Sequence, residues 1–193
     1  MYGAVEFWNE SRKEGIKPII GCEVYVARRS RFDKEPKLDS SPYHLILLCE
    51  NNEGYKNLVK LVSLASIEGF YSKPRVDTEL LKKYHSGLIC MSACLAGEIP
   101  RLLAADDYEG AKLCALAYRE IFGEGNYFLE IQNHGISDEQ KVTAYLYRLS
   151  QDTGIPLAAT NDCHYINRQD AEMQNVLLCI QTGKTLDEPN SIS

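Results

Sequence analysis

Apolar positions recur along the chain with two alternating periods. From Glu53 to Ser66, the residues Leu58, Leu61, Val62 and Ala65 fall three and four apart, and from Tyr108 to Phe122 so do Ala111, Cys114, Ala115 and Tyr118. Each set predicts a helix with one stripe toward a core. Ala4 to Glu14 predicts a shorter helix with Val5 and Trp8 on its apolar side and Gly15 ending it. Between the helices lie short apolar runs bounded by turn residues. Pro18-Ile19-Ile20, continuing in extended style through Val26, then Tyr43 to Cys49, Leu88 to Met91, Asn126 to Ile131 and the run after Gly154-Ile155-Pro156-Leu157 are too short for helices and predict buried strands.

One arrangement occurs three times. A helix is closed by a glycine, a buried strand follows, and a side chain able to bind metal comes next: Glu23 eight residues after Gly15, Cys94 seven after Gly87, Asp162 eight after Gly154. The second and third helices are predicted over Leu80 to Tyr84 and Leu146 to Asp152. Helix and strand in alternation, with chemistry at strand ends, predict an α/β fold, either a parallel barrel or an open sheet. A single acidic residue past a strand is readily a helix cap; three such ends are harder to explain that way.

Composition narrows the class. The chain has 193 residues, 45% hydrophobic and 25% charged, enough for a substantial core. No apolar run approaches the roughly 20 residues of a membrane span and no signal peptide opens the sequence, so no membrane partner and a cytoplasmic location are expected. Seven cysteines at irregular spacing argue for reduced thiols, buried or metal-binding, rather than a disulfide framework. A net charge of −6 gives the chain as a whole no electrostatic footprint for nucleic acid.

The candidate chemistry starts from Ala159-Thr160-Asn161-Asp162-Cys163-His164-Tyr165. If this stretch is extended, Asp162 and His164 share a face and Cys163 takes the other, so a carboxylate and an imidazole converge as a divalent metal requires. The structural alternative is an Asp capping the next helix beside a packed His. His44 stands near the start of its strand, against the strand-end rule; either that strand runs the other way or His44 belongs to the loop mouth. His134, in the turn after the fifth strand, is expected at the same rim as Glu23, Cys94 and Asp162, as a substrate contact or spare ligand. Arg28-Arg29-Ser30-Arg31 and Lys73-Pro74-Arg75 are the basic clusters near the rims; Arg75 is a candidate substrate contact, with a solvated loop as the alternative reading. Gly183-Lys184-Thr185 lacks the glycine that a phosphate loop needs five residues earlier, where Leu178 stands, and that motif is rejected.

Several longer stretches resemble the polymerase-and-histidinol-phosphatase (PHP) domain that opens the alpha subunit of bacterial replicative DNA polymerase III. They are Ile19 to Tyr25, Glu68 to Arg75, Ser92 to Ile99, Ala159 to Tyr165 and Leu177 to Leu186. The resemblance implies a distorted (β/α)7 barrel of PHP type, with up to three metal ions at the strand ends. Its pattern places Glu23, His44, Cys94, Asp162 and His164 as ligands and leaves His134 outside that set. The family pattern also opens with a His-x-His pair and an Asp-His pair that this chain lacks, and Met1-Tyr2-Gly3 resembles the continuation immediately after the second pair. The expectation is therefore a fragment cut at both ends: a PHP domain over 1–176, incomplete at its N-terminus, and from 177 to 193 the start of a connection to polymerase domains.

The chemistry implied is metal-assisted phosphodiester hydrolysis, with water activated by the metal in place of a catalytic side chain. His, Cys and carboxylate together suit Zn or Mn, with Fe as a further choice; Mg is expected only for the polymerase domains outside the chain. The parent protein is then expected to be a DNA-directed DNA polymerase whose PHP domain carries a 3′–5′ exonuclease, the fragment alone being inactive. Its partners would be DNA, other replicase subunits and the sliding clamp. Two further readings stand beside this one: a structural module of the same subunit without nuclease activity, and a free-standing small-molecule phosphatase of the PHP family.

Overall fold

The computed structural model describes residues 1–186, which belong to two compact units divided between Thr160 and Asn161. The first contains β1 (Gly21–Val26), β2 (Tyr43–Cys49), β3 (Arg75–Val76), β4 (Leu88–Met91), β5 (Tyr127–Ile131) and β6 (Leu157–Ala159). Its helices are α1 (Ala4–Lys13), α2 (Pro36–Asp39), α3 (Asn52–Ile67), α4 (Thr78–Tyr84), α5 (Glu98–Ala104), α6 (Tyr108–Phe122) and α7 (Ser137–Thr153). The second unit carries a 3-10 turn, Arg168–Asp170, and α8 (Ala171–Thr182).

The strands form one mixed sheet in the order β3-β1-β2-β4-β5-β6. β1 is parallel to β3, and β4, β5 and β6 are mutually parallel, whereas β2 is antiparallel to both β1 and β4. Five strands thus run one way and β2 runs back. Its reversal brings the beginning of β2 to the carboxyl ends of β1 and β4, which resolves the anomaly of His44. The closed barrel is not what the strands build: β3, two residues long, and β6, three residues long, are free edges of an open sheet among the described residues. Closure requires edge strands to pair with one another.

Alternation along the strands separates two faces. Val24, Val26, Leu45, Leu47, Leu88, Cys90, Tyr127 and Leu129 point into the core, where Leu58, Leu61, Leu81, Ala111, Ala115, Leu146 and Leu149 from the helices meet them. Each such leucine contributes about 1.5–3 kcal/mol by leaving water. Glu23, Tyr25, His44, Ile46, Leu48, Ile89 and Met91 occupy the intervening positions on the opposite face.

The threefold sequence arrangement is realised as α1–Gly15–β1, α4–Gly87–β4 and α7–Gly154–β6, the glycines taking φ of 71°, 71° and 72°. The register of β4 depends on a close approach at the second of these. A Cβ on Gly54, in the first turn of α3, would lie 1.8 Å from the Gly87 carbonyl oxygen.

The apolar stripe predicted for α1 is not buried: Val5 is 67% and Trp8 46% exposed, since no element among the described residues packs over it. The first strand runs from Gly21 rather than Pro18, with the Ile20 carbonyl just before it accepting from the Cys49 amide, so Glu23 sits within β1 and not past its end. The sequence reading passed over α5 and α8. Helix α8 runs without a break through the expected boundary at 176 and 177, and residues 187–193 of the expected connection lie outside the described residues. No described helix is long and apolar enough to cross a membrane.

Candidate metal centre

Antiparallel register places Tyr25 opposite His44 and Glu23 opposite Ile46, so Glu23 and His44 are diagonal neighbours on one face. Past β4, the chain turns through Ala93, whose φ is 64°, a conformation that costs an L-residue roughly 1–2 kcal/mol. The turn is tied down by the His44 amide, which donates to the Ala96 carbonyl at 3.1 Å, and by the Gly97 amide, which donates to the Cys94 carbonyl at 2.8 Å. Cys94 is thereby folded back over the beginning of β2.

Three different donors converge there. His44 Nδ1 lies 3.0 Å from Glu23 Oε1 and 3.8 Å from Cys94 Sγ, and one ligand atom from each residue falls within 4.8 Å of the others. The Tyr25 ring stands edge-on to the imidazole at 5.2 Å and limits its rotation. The hydrogen bond with Cys94, then that with Glu23, push the His44 pKa up to about 9 from its ordinary 6.5. The pocket favours positive charge at the point where both partners meet the imidazole. A proton supplies that charge in the metal-free chain, and the same oxygen, nitrogen and sulfur donors fit a borderline divalent cation such as zinc, the sulfur weighing against magnesium.

The remaining sequence candidates are placed differently. Asp162 and His164 belong to the second unit. Strand β6 ends at Ala159, Asp162 has φ of 45°, and His164 Nδ1 lies 2.8 Å from the Asp162 carbonyl oxygen. The extended geometry behind the shared-face argument is therefore absent at this pair, because a left-handed residue breaks the alternation. His134 is held by Glu139 in the first turn of α7, its amide and Nδ1 each 2.7 Å from a carboxylate oxygen. Arg75 is wholly buried, and its guanidinium donates to the carbonyls of Gly69, Asp39, Arg31 and Asp33. It fastens the loop after β1 and is not exposed to a substrate.

The sequence reading passed over Glu130. Its side chain is buried, with Oε1 accepting from the Thr160 hydroxyl and from Gln132 Nε2, while Oε2 has no hydrogen-bond partner among the described residues. It lines a cavity of about 20 Å³ together with Cys94, Gln132 and Glu139, room for one water molecule. A carboxylate inside the apolar run Tyr127 to Ile131 was the available signal.

The PHP domain family matches residues 1–134. The DNA polymerase III subunit alpha of Borreliella burgdorferi is 47% identical over 193 residues, covering 100% of this chain and 17% of that protein. Its counterpart in Treponema pallidum is 49% identical, covering 100% of the chain and 16% of the relative. That of Thermus aquaticus is 44% identical over 191 residues, or 98% of the chain and 16% of the relative. The chain thus spans about one sixth of the length of the curated relatives that it matches. With a match over most of its length and a converged carboxylate, imidazole and thiol, the chain belongs to the PHP domain family.

Proposed function

We propose that the chain is the PHP region of a replicative DNA polymerase III alpha subunit and carries a metal-dependent phosphodiesterase site, used as a 3′–5′ exonuclease. The observation that carries this reading is the meeting of Glu23, His44 and Cys94 around one imidazole nitrogen. Divalent ions held there would acidify water and polarise a phosphoryl oxygen. Glu23 contributes the negative charge that offsets a cation, Cys94 the donor that selects a borderline metal over magnesium, and His44 a nitrogen fixed in direction by Tyr25. Asp162 and His164 are further ligands on the resemblance alone, and His134 is a candidate substrate contact. The barrel implied by the resemblance would form when the free edges of β3 and β6 meet further strands of a longer protein. DNA and other replicase subunits are the partners that fit the relatives' name, and the sliding clamp is a partner that the resemblance implies.

The test is release of nucleotides from a 3′-labelled single strand by the full-length natural protein, after metal removal and after restoring zinc or manganese. Metal-dependent release, lost in both Glu23→Gln and Cys94→Ser while primer extension continues, is the expected result. Nucleotide release unaffected by either substitution overturns the assignment. Bound metal with no release in the wild-type protein points to a structural module instead.

A further inference from the structure

The basic cluster after β1 divides sharply. Arg29 is engaged by Asp39 at 2.6 Å, with Asp33 and Glu35 nearby, and Arg31 by Asp77 at 3.0 Å and Glu68 at 2.7 Å. Arg28 has no carboxylate partner among the described residues. Its Nε donates to the Ser41 carbonyl at 2.8 Å, and its guanidinium lies 4.8 Å from the centre of the Tyr43 ring. A second arginine meets the same ring: Arg101, from α5, lies 5.4 Å from the ring centre and donates through Nη1 to the Ser41 hydroxyl at 3.1 Å. Arg101 too lacks a carboxylate partner among the described residues.

Two guanidiniums on one ring repel each other. The negative face of Tyr43 offsets part of that cost, and the remainder shows at Arg101. Burial first, and then the Arg28 charge, hold its guanidinium below the usual arginine range. Another cation, Lys73, lies on the other face of the sheet, its Nζ 5.4 Å from the centre of the Tyr25 ring that abuts His44. Arg28 and Arg101 thus bring unneutralised positive charge together on one ring of this acidic chain. A guanidinium pair with unused donors is suited to a phosphate, which accepts from planar forks and lowers the mutual repulsion.

The position is as informative as the charge. Strand β1 supplies Glu23 and leads to Arg28; β2 opens with Tyr43 and then His44, which alternation turns to opposite faces, so the arginine pair and the triad share the rim where β2 begins rather than one face. The chain after β4 supplies Cys94 and then Arg101. The three segments that assemble the metal triad also assemble the arginine pair.

We propose that Arg28, Tyr43 and Arg101 form a subsite for a backbone phosphate of a single nucleic-acid strand, at the same rim of the sheet as the Glu23–His44–Cys94 centre. The assignment to a strand rests on the phosphodiesterase reading above. Tyr43 acts as a fixed support that holds both guanidiniums, and the phosphate bridges their free donors.

The experiment uses the full-length natural protein and an oligothymidylate with a photoreactive 4-thiothymidine at its 3′ end. Cross-linked peptides are mapped by mass spectrometry, and yield is compared among wild type, Arg28→Gln/Arg101→Gln, Arg101→Lys and the charge control Lys56→Gln. The expected result is a cross-link on the peptide containing Tyr43. Its yield should fall at least about tenfold in the double variant, less in Arg101→Lys, and not at all in Lys56→Gln, since removing phosphate contacts weakens binding of any sequence. Thermal unfolding of each variant shows that the comparison is among folded proteins. No cross-link on that peptide, or equal yield in the folded double variant, overturns the proposal. Slower amide exchange of Glu98–Ala104 in inorganic phosphate, without any cross-link, marks a free-anion site and also overturns the assignment to a strand. Metal content of the same samples separates the two readings. A metal-replete protein without the cross-link removes the subsite alone, whereas an arginine-dependent cross-link in protein that binds no metal removes the metal reading and leaves the subsite.

Discussion

Proton competition at His44 sets how strongly the candidate centre holds a metal. The Cys94 and Glu23 hydrogen bonds raise its pKa to about 9, so at pH 7 a cation must displace a proton held about two pH units above the medium. At about 1.4 kcal/mol per unit, the displacement costs about 2.7 kcal/mol, or about 100-fold in apparent affinity. Affinity for zinc should therefore rise about tenfold per pH unit from 7 toward 9, as the His44 proton is lost, and then flatten. Stability of the metal-free chain moves the opposite way. Because the folded-state pKa lies above the ordinary 6.5, the His44 contribution is complete below about pH 6.5 and is lost as pH rises through about 9. A chelator competition series across this range measures the first effect, and urea unfolding in chelator measures the second. His44→Ala should weaken zinc binding and remove one proton from the slope. A zinc affinity independent of pH between 7 and 9, or a slope unchanged in His44→Ala, would refute the argument.

Other substitutions probe separate parts of the account. In the full-length protein, Asp162→Asn and His164→Ala should each reduce nuclease activity about 100-fold or more, taking effects of roughly 10–100-fold on supporting groups as a floor, while polymerisation survives. Cys163→Ser is the control; if it and Asp162→Asn reduce activity equally with wild-type metal content, the pair is not part of the site. Asp77 both caps α4, accepting from the Leu80 amide at 3.1 Å, and neutralises the buried Arg31 guanidinium. Asp77→Ala removes the cap, worth about 1 kcal/mol, and leaves the Arg31 guanidinium to Glu68 and Glu79, so it should destabilise the chain by at least about 1 kcal/mol, and a urea midpoint within error of wild type would contradict this.

Much of this organisation was legible because it is written in local chemistry. Glycines that end helices and the two apolar periods marked α3, α6, β2 and β4 nearly to the residue, since each element's signal lies within its own span. The site was less legible. Glu23 and Cys94 were found through a spacing that places both near strand ends, but their meeting depends on the reversal of β2, which only long-range pairing decides. The same limit explains Arg75, whose charge suggests a ligand contact and whose burial among carbonyls is set by segments up to 44 residues away. At Asp162 the period of two no longer applies, because β6 stops at Ala159 and Asp162 itself is left-handed. Arg101 gave no signal, because its significance lies in the company of Arg28 and Tyr43.

The most direct test of the metal centre is X-ray absorption at the metal edge on protein loaded with zinc. The arrangement of Glu23, His44 and Cys94 predicts one sulfur neighbour at about 2.3 Å and nitrogen or oxygen neighbours at about 2.0–2.2 Å, with the sulfur signal lost in Cys94→Ser. Stoichiometric zinc with no sulfur neighbour in the wild-type protein, or a spectrum unchanged by Cys94→Ser, would contradict it.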